Sequence, residues 1–125
     1  MGSLPARASI VDNLATRTTF EALVRIIKTS FLREAARRHP NAAPALRAWQ
    51  TTVEAATWGS FDDVRRTFSF SDAVRVASGR QVVVFNISGN NYRLICAIHF
   101  NHQRIFALRF LTHAEYDKAR WKTTL

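Results

Sequence analysis

Three side chains near the end of the chain could act together on a phosphate group. They are Arg93, His113 and Tyr116. Arginine can hold a phosphate through two hydrogen bonds, and histidine exchanges protons near neutral pH. A tyrosine can stack on a base or donate a proton. This set needs no metal to cleave RNA: one group takes the ribose 2′-OH proton, another protonates the leaving 5′ oxygen, and cations stabilise the charge on phosphorus.

Each candidate also has a structural interpretation that the residues leave open. His113 could be a C-terminal cap or a polar surface residue. Tyr116 could pack against the sheet edge with Trp121, and Arg109 could be an exposed charge on a strand. The spacing alone does not choose between these interpretations and the chemical one.

Other chemistries lack their motifs. The four histidines are scattered and Cys96 is the single cysteine, so neither H-E-x-x-H nor a cysteine pair occurs. With four glycines, the chain has no G-x-G-x-x-G or Walker spacing. We therefore expect no metal site and no cofactor.

The charge predicts a polyanionic partner. Lys and Arg number 18 against 9 Asp and Glu, a net charge of +9, and 15 of the 18 are Arg. The planar guanidinium suits phosphates and base edges. The alternative is a protein that is merely basic. The basic residues assigned to RNA binding are Arg75, Arg80, Arg109, Lys118 and Lys122.

A three-stranded antiparallel meander is predicted to position these residues. Three runs rich in Val, Ile, Phe and Tyr follow Gln81, separated by S-G-N-N and N-H-Q. A tight turn at Gly89-Asn90 places Asn86 opposite Arg93. The same register pairs Ile87 with Tyr92 and Phe85 with Leu94, and it puts Cys96 on the apolar face.

The second turn decides whether two arginines share a face. A three-residue turn, Asn101 to Gln103, places Ile95 opposite Arg109 and Ala97 opposite Ala107. Arg93 and Arg109 then lie on one face, with His113 just beyond the strand end. This register also predicts that Phe106, Leu108 and Phe110 join the apolar face.

The preceding residues predict a strand and two helices. V-R-I-I at residues 24–27 is a short strand, and residues 31–39 form a helix with Phe31, Leu32, Ala35 and Ala36 inward. A second helix begins near Pro44, with one apolar face formed by Leu46, Trp49, Val53 and Ala56. Residues 61–68 form one further helical turn, and residues 69–80 a polar connector. The predicted fold is α+β in the order β-α-α-β-β-β, with the helical hairpin covering one face of the sheet.

Residues 1–23 differ in residue pattern from the rest of the chain and lack a clear apolar period. We interpret them as an N-terminal extension, weakly structured or helical, that contributes nothing to the core. Residues 24–125 form the folded domain. No apolar run approaches the length of a membrane span, and no signal-peptide core is present, so we expect no membrane association and a cytoplasmic location.

The combined motifs resemble a known family. V-F-N-I-S-G-N-N-Y-R-L followed by T-H-A-E-Y-D-K, together with V-R-I-I-K, L-R-E-A-A-R-R-H-P and A-L-R-A-W, is similar to the HigB-like toxins of bacterial type II toxin–antitoxin systems. These belong to the RelE/ParE-like superfamily. The resemblance runs from about Val24 to Trp121.

The resemblance implies a RelE-like fold and an endoribonuclease (mRNA interferase) that cuts mRNA on translating ribosomes without a metal. It also implies a helix-turn-helix antitoxin of the HigA type. Arg93 matches the phosphate-holding arginine of the superfamily, and T-H-A-E-Y-D matches the catalytic C-terminal segment with His113 and Tyr116. Two alternatives remain: a non-catalytic basic module that binds RNA or protein, and a ParE-like gyrase inhibitor.

Overall fold

The computed structural model describes residues 23–125. A five-stranded sheet has the order β1-β5-β4-β3-β2. The strands are β1 (Arg25–Ile27), β2 (Ser71–Arg75), β3 (Gln81–Ile87), β4 (Tyr92–His99) and β5 (Arg104–Thr112). The helices are α1 (Ser30–Arg38), α2 (Ala43–Glu54), α3 (Phe61–Thr67), α4 (His113–Asp117) and α5 (Trp121–Thr124), with single 3-10 turns at Pro40–Ala42 and Phe100–His102. The predicted α+β class is confirmed, while the interpretation of residues 1–23 as an extension lies, except for Leu23, outside the described residues.

The helical hairpin covers one face of the sheet, as predicted. The apolar face of α2 is buried through Leu46, Trp49 and Val53, and α1 buries Leu32 and Ala35. These side chains meet the sheet residues that point toward the helices. The main core on the sheet side contains Val83, Phe85, Ile87, Leu94, Cys96, Ile105 and Phe110.

The first hairpin has the predicted register. Asn86 pairs with Arg93, Phe85 with Leu94 and Ile87 with Tyr92. The turn closes with the Asn91 N–H donating to the Ser88 carbonyl oxygen at 3.2 Å. Ser88 and Gly89 both have positive φ, which explains the small residues at this position.

The second hairpin contains an irregularity that the prediction missed. Ile95 does pair with Arg109, but Cys96 pairs with Ala107 and Ala97 with Phe106, because the register shifts between Ile95 and Cys96. One extra residue in β5 reverses the alternation on one side of the bulge. The prediction that Phe106, Leu108 and Phe110 all join the apolar face was therefore wrong: Phe110 lies in the main core, Leu108 packs on the opposite face, and Phe106 contacts His99.

Two features of the sheet were also missed. Residues 69–80 are not simply a polar connector, because Ser71–Arg75 forms the edge strand β2 against β3. The short β1 pairs with β5 in parallel, with Arg25 opposite Arg104. The first and last strands of the sheet in the sequence are thus neighbours in space.

The second face of the sheet is covered as well. A smaller cluster of buried residues lies there, with Leu108, Leu111, Tyr116 and Leu125 packed against it. The C-terminal helices α4 and α5 supply the cover, so the face that was predicted to expose Arg93 and Arg109 is only partly open. The buried members of this cluster are Val76, Val82, Val84, Ile95 and Trp121.

Among the described residues, no helix is both long enough and apolar enough to cross a bilayer.

Trp49 provides a test of the main core. Its ring is 3% exposed and contacts Phe85 edge-on, with centroids 5.3 Å apart. We expect Trp49→Ala to lower the free energy of unfolding by about 3–5 kcal/mol, because it leaves a large cavity. Chemical denaturation of both proteins measures this difference.

Trp49→Phe is the matched control. Among the described residues, the Nε1 of Trp49 has no hydrogen-bond partner, so Phe removes an unpaired donor while keeping an aromatic ring. Its loss should be clearly smaller than that of Ala. Equal losses for the two variants would contradict the packing role.

Candidate active site

The site forms where β5 ends and α4 begins. Thr112 is the N-cap of α4: its hydroxyl accepts a hydrogen bond from the Glu115 N–H, while the Glu115 carboxylate accepts from the Thr112 N–H at 2.9 Å. The His113 N–H donates to the Asn91 carbonyl at 2.9 Å, which ties the start of α4 to the first hairpin turn. This reciprocal cap turns the chain sharply and sends α4 across the second face of the sheet.

Arg93 stands at the centre of this arrangement. Its Nη1 donates to the Asn90 carbonyl at 3.1 Å and its Nη2 to the Asn90 side-chain oxygen at 2.7 Å. Its guanidinium carbon lies 5.4 Å from the centroid of the Tyr116 ring, within the range of a cation–π contact. Arg93 has no carboxylate partner among the described residues, so its charge is available to an anion.

Tyr116 is held between Arg93 and Trp121. The Tyr116 and Trp121 rings stack with centroids 5.2 Å apart and an interplanar angle of 17°. The Trp121 Nε1 donates to the Tyr116 carbonyl at 3.1 Å, which fixes the stack. The predicted packing of Tyr116 with Trp121 is therefore confirmed, and the same ring also contacts Arg93.

The surroundings keep the Tyr116 phenol protonated. Burial raises its pKa above the ordinary value, and the nearby carboxylate of Asp72 raises it further. Arg93 acts in the opposite direction, and Asp117 adds a smaller rise. Near neutral pH the ring therefore carries no charge that would repel a phosphate.

His113 is the first residue of α4 and is oriented by Asp117. Its Nδ1 lies 2.8 Å from Oδ2 of Asp117, one helical turn away. An Nδ1–H donated to this carboxylate leaves Nε2 as the nitrogen that can accept a proton in the neutral ring. The side chain of His113 is 43% exposed, so substrate can reach it.

The structure brings some of the predicted basic residues to the site. Arg109 shares a face with Arg93 and donates to the Leu108 carbonyl at 2.8 Å, and its Nη2 lies 3.3 Å from Oγ1 of Thr124. Lys118, at the end of α4, lines a shallow depression with Arg109. Lys122 lies over the Trp121 ring at 5.8 Å from its centroid.

Arg75 and Arg80 are not brought to the same place. Val74 packs on the second face, so strand alternation directs Arg75 to the face that carries the helices. Arg80 lies in the β2–β3 turn, at the other end of β3 from Asn86. The neighbouring Ala77 links this turn to the C-terminal segment, because its N–H donates to the Lys122 carbonyl at 2.9 Å.

Three residues of the site were missed from the sequence. T-H-A-E is a capping-box pattern, and Asp117 stands four residues after His113, so Glu115 and Asp117 had readable signals. Asp72 had none, because it belongs to the strand that was interpreted as a connector. Its position next to Tyr116 follows from the pairing of Asp72 with Val84.

The arrangement can bind a phosphate and move protons beside it. The Arg93 guanidinium on β4 contacts the protonated Tyr116 phenol on α4, and the His113 imidazole lies three residues before Tyr116 on the same helix. No group of three or more His, Cys, Asp or Glu able to hold a metal occurs among residues 23–125.

The architecture is the RelE-like fold of small toxins. The family described as "HigB_toxin, RelE-like toxic component of a toxin-antitoxin system" matches residues 42–119. The chain is 30% identical over 95 residues to the mRNA interferase HigB of Escherichia coli O6:H1, covering 76% of this chain and 90% of that protein. It is 24% identical over 94 residues to the mRNA interferase toxin HigB of E. coli K12 and to its namesake in Shigella flexneri, covering 75% of this chain and 88% of each relative.

The chain therefore belongs to the HigB toxin family and is the toxic component of a toxin–antitoxin system. The resemblance inferred from the sequence motifs is confirmed. An antitoxin partner follows from membership of such a system.

The electrostatic environment of Tyr116 yields a direct test. Asp72→Asn removes a negative charge that disfavours the phenolate, so the pKa of Tyr116 should fall, while remaining above the ordinary value because burial persists. Arg93→Gln should move this pKa in the opposite direction. Tyr92 and Tyr116 are the two tyrosines of the chain, so titrating tyrosinate absorbance in a Tyr92→Phe background reports Tyr116 alone. A pKa that is the same in all three proteins would separate Tyr116 from both charges.

Proposed function

We propose that the protein is an endoribonuclease of the mRNA interferase type that cuts mRNA on the ribosome without a metal. The observation that carries the proposal is the placement of the Arg93 guanidinium over the Tyr116 ring at 5.4 Å, with His113 on the same short helix as Tyr116. The relatives are named mRNA interferases, which supports the reaction class.

In the proposed reaction the RNA supplies its own nucleophile. His113 accepts the 2′-OH proton through Nε2, and the 2′ oxygen forms a bond to phosphorus. The bond from phosphorus to the 5′ oxygen breaks, and Tyr116 protonates that oxygen. The products are a 2′,3′-cyclic phosphate and a 5′-OH end, and the proton on His113 returns to Tyr116 through solvent.

Arg93 stabilises the reaction electrostatically. Charge accumulates on the non-bridging oxygens during the attack, and a guanidinium without a carboxylate partner can hold two of them. The neutral phenol next to it avoids repulsion with the phosphate. Arg109 and Lys118 lie near enough to the site to hold adjacent phosphates of the same strand.

The proposal extends to the setting and the partner. The net charge of +9 suits the ribosome, whose surface is rich in RNA phosphates. We place the protein in the cytoplasm, where translation occurs, and identify its antitoxin as a helix-turn-helix protein of the HigA type. The same basic character favours an acidic inhibitory surface on that partner.

Arg93→Ala should abolish growth arrest while leaving the fold intact. Arg93 is half-buried and bonds mainly to its own turn, so little packing is lost. Losing a charge-assisted phosphate contact should cost about 1.5–3 kcal/mol of transition-state binding. Growth after induction, at equal protein level and with melting temperature as a check, measures the effect.

Arg47→Ala is the matched control for this variant. Arg47 is an exposed arginine on α2, on the helical side of the sheet. Its replacement by Ala removes the same charge as Arg93→Ala. It should arrest growth like the unmodified protein. Equal toxicity of Arg93→Ala and Arg47→Ala would remove Arg93 from the site.

His113→Ala and Tyr116→Phe should reduce cleavage by about 10²–10⁴-fold, the usual contribution of general acid–base steps. Binding to ribosomes should change little, because both variants keep Arg93, Arg109 and Lys118. Mapping of mRNA ends in a purified translation system measures cleavage, and co-sedimentation measures binding. Cleavage at the original rate in both variants would show that the acid–base assignment is wrong.

Ribosome binding without cleavage by the unmodified protein would favour the non-catalytic module, and inhibition of gyrase would favour the ParE-like alternative.

A further inference from the structure

We propose that a groove beside Arg93 holds one base of the RNA strand and reads its identity. This inference rests on the proposed function, since it assigns the groove to the nucleotide whose phosphate Arg93 holds. The groove lies just before β2 begins, where the edge of β3 beyond Phe85 is free, and its lining includes Phe68, Phe70, Phe85, Asn86 and Asn90.

The aromatic lining of the groove suits a base. Phe85 and Phe68 pack edge-to-face with centroids 5.3 Å apart and belong to the main core, so they form a rigid floor on the helical side of the β3 edge. Phe70 is different, because its side chain is 79% exposed, the one large apolar side chain so exposed among residues 23–125. An exposed aromatic ring beside a rigid apolar floor can stack on a base.

The charges at the two sides of the groove suit the backbone of that strand. At one side, Asn90 lines the groove and also accepts hydrogen bonds from Arg93, so the groove adjoins the phosphate-holding group. At the other side, the Nη2 of Arg65 lies 3.5 Å from the carbonyl oxygen of Ser69, another lining residue. A guanidinium on each side and no carboxylate in the lining favour a base whose two flanking phosphates reach these arginines.

Asn86 is the group that can read the base. It pairs with Arg93 across β3 and β4, so the two side chains leave the sheet on the same face, opposite to that of Phe85. A base that stacks on Phe70 and reaches this amide therefore lies across the free edge of β3. Its amide is exposed and makes no side-chain hydrogen bond to another described residue. An amide carries both a donor and an acceptor, and this pair can match the edge of one base better than the others.

RNA is favoured over an antitoxin segment as the occupant. An apolar protein anchor would explain Phe70, but it would not require two guanidinium groups and a free amide beside the phosphate-holding arginine. A nucleotide uses all three features. The two occupants also differ in what can replace Phe70, because stacking needs an aromatic ring, whereas a protein contact is retained by a large aliphatic side chain.

The test uses variants of Phe70 and Asn86 in the full chain. Phe70→Ala and Phe70→Leu should weaken binding of a short single-stranded RNA, methylated at its 2′ oxygens so that it cannot be cut, by about 5- to 150-fold. Phe70→Trp should restore it, and Arg47→Ala serves as the charge control. Fluorescence anisotropy measures binding, and the antitoxin's affinity is measured in parallel on the same proteins.

Mapping of the cut sites tests whether Asn86 distinguishes one base from another. Asn86→Leu removes the donor and the acceptor of the amide without adding a charge opposite Arg93, so the distribution of bases next to the cut should change while the melting temperature does not. Unchanged RNA binding and unchanged cut sites in all Phe70 and Asn86 variants, while the unmodified protein cleaves, would overturn the groove assignment alone.

A different result would assign the groove to the antitoxin: Phe70→Ala loses antitoxin affinity, Phe70→Leu keeps it, and neither variant changes RNA binding. If the unmodified protein does not cut mRNA, RNA binding that depends on Phe70 still supports the groove, and the absence of both overturns both proposals.

Discussion

Burial of strand β4 on both faces is the constraint on which the structure depends. Leu94 and Cys96 point into the main core and Ile95 into the smaller cluster, and all three are fully buried. The helical hairpin can cover only one face of the sheet, so the other must be covered by the C-terminal segment. This cover carries His113 and Tyr116, two of the three groups that could act on RNA, and the third, Arg93, lies on β4 itself. Stability and chemistry therefore share the same residues at Tyr116 and Trp121.

The position of Tyr116 illustrates this coupling. Its ring gives apolar area to the smaller cluster, stacks on Trp121 and supports the Arg93 guanidinium. The burial that stabilises the fold also raises the pKa of the phenol, which keeps it in the form that donates a proton. The main core, formed around Trp49 and Phe85, is separate from these groups. Substitutions there should affect stability before they affect chemistry.

Local patterns predicted the parts of the fold that local physics determines. The register of the first hairpin followed from its turn residues, and the face of α2 followed from the spacing of Leu46, Trp49 and Val53. The bulge near Ile95 was not predictable, because the extra residue is selected by packing on both faces. Strand β2 was missed because S-D-A-V-R carries little apolar alternation. Arg93, Tyr116 and His113 were named from motifs, but Asp72 enters the site only through that missed strand.

The parallel pairing of β1 with β5 has a consequence for synthesis. Arg25 meets Arg104, so the sheet cannot close until β5 has been made. Trp121, which fixes Tyr116 in place, comes later in the sequence than all five strands. Proteins emerge from the ribosome with the N-terminal end first. A nascent chain therefore has no assembled site until Trp121 has left the ribosome.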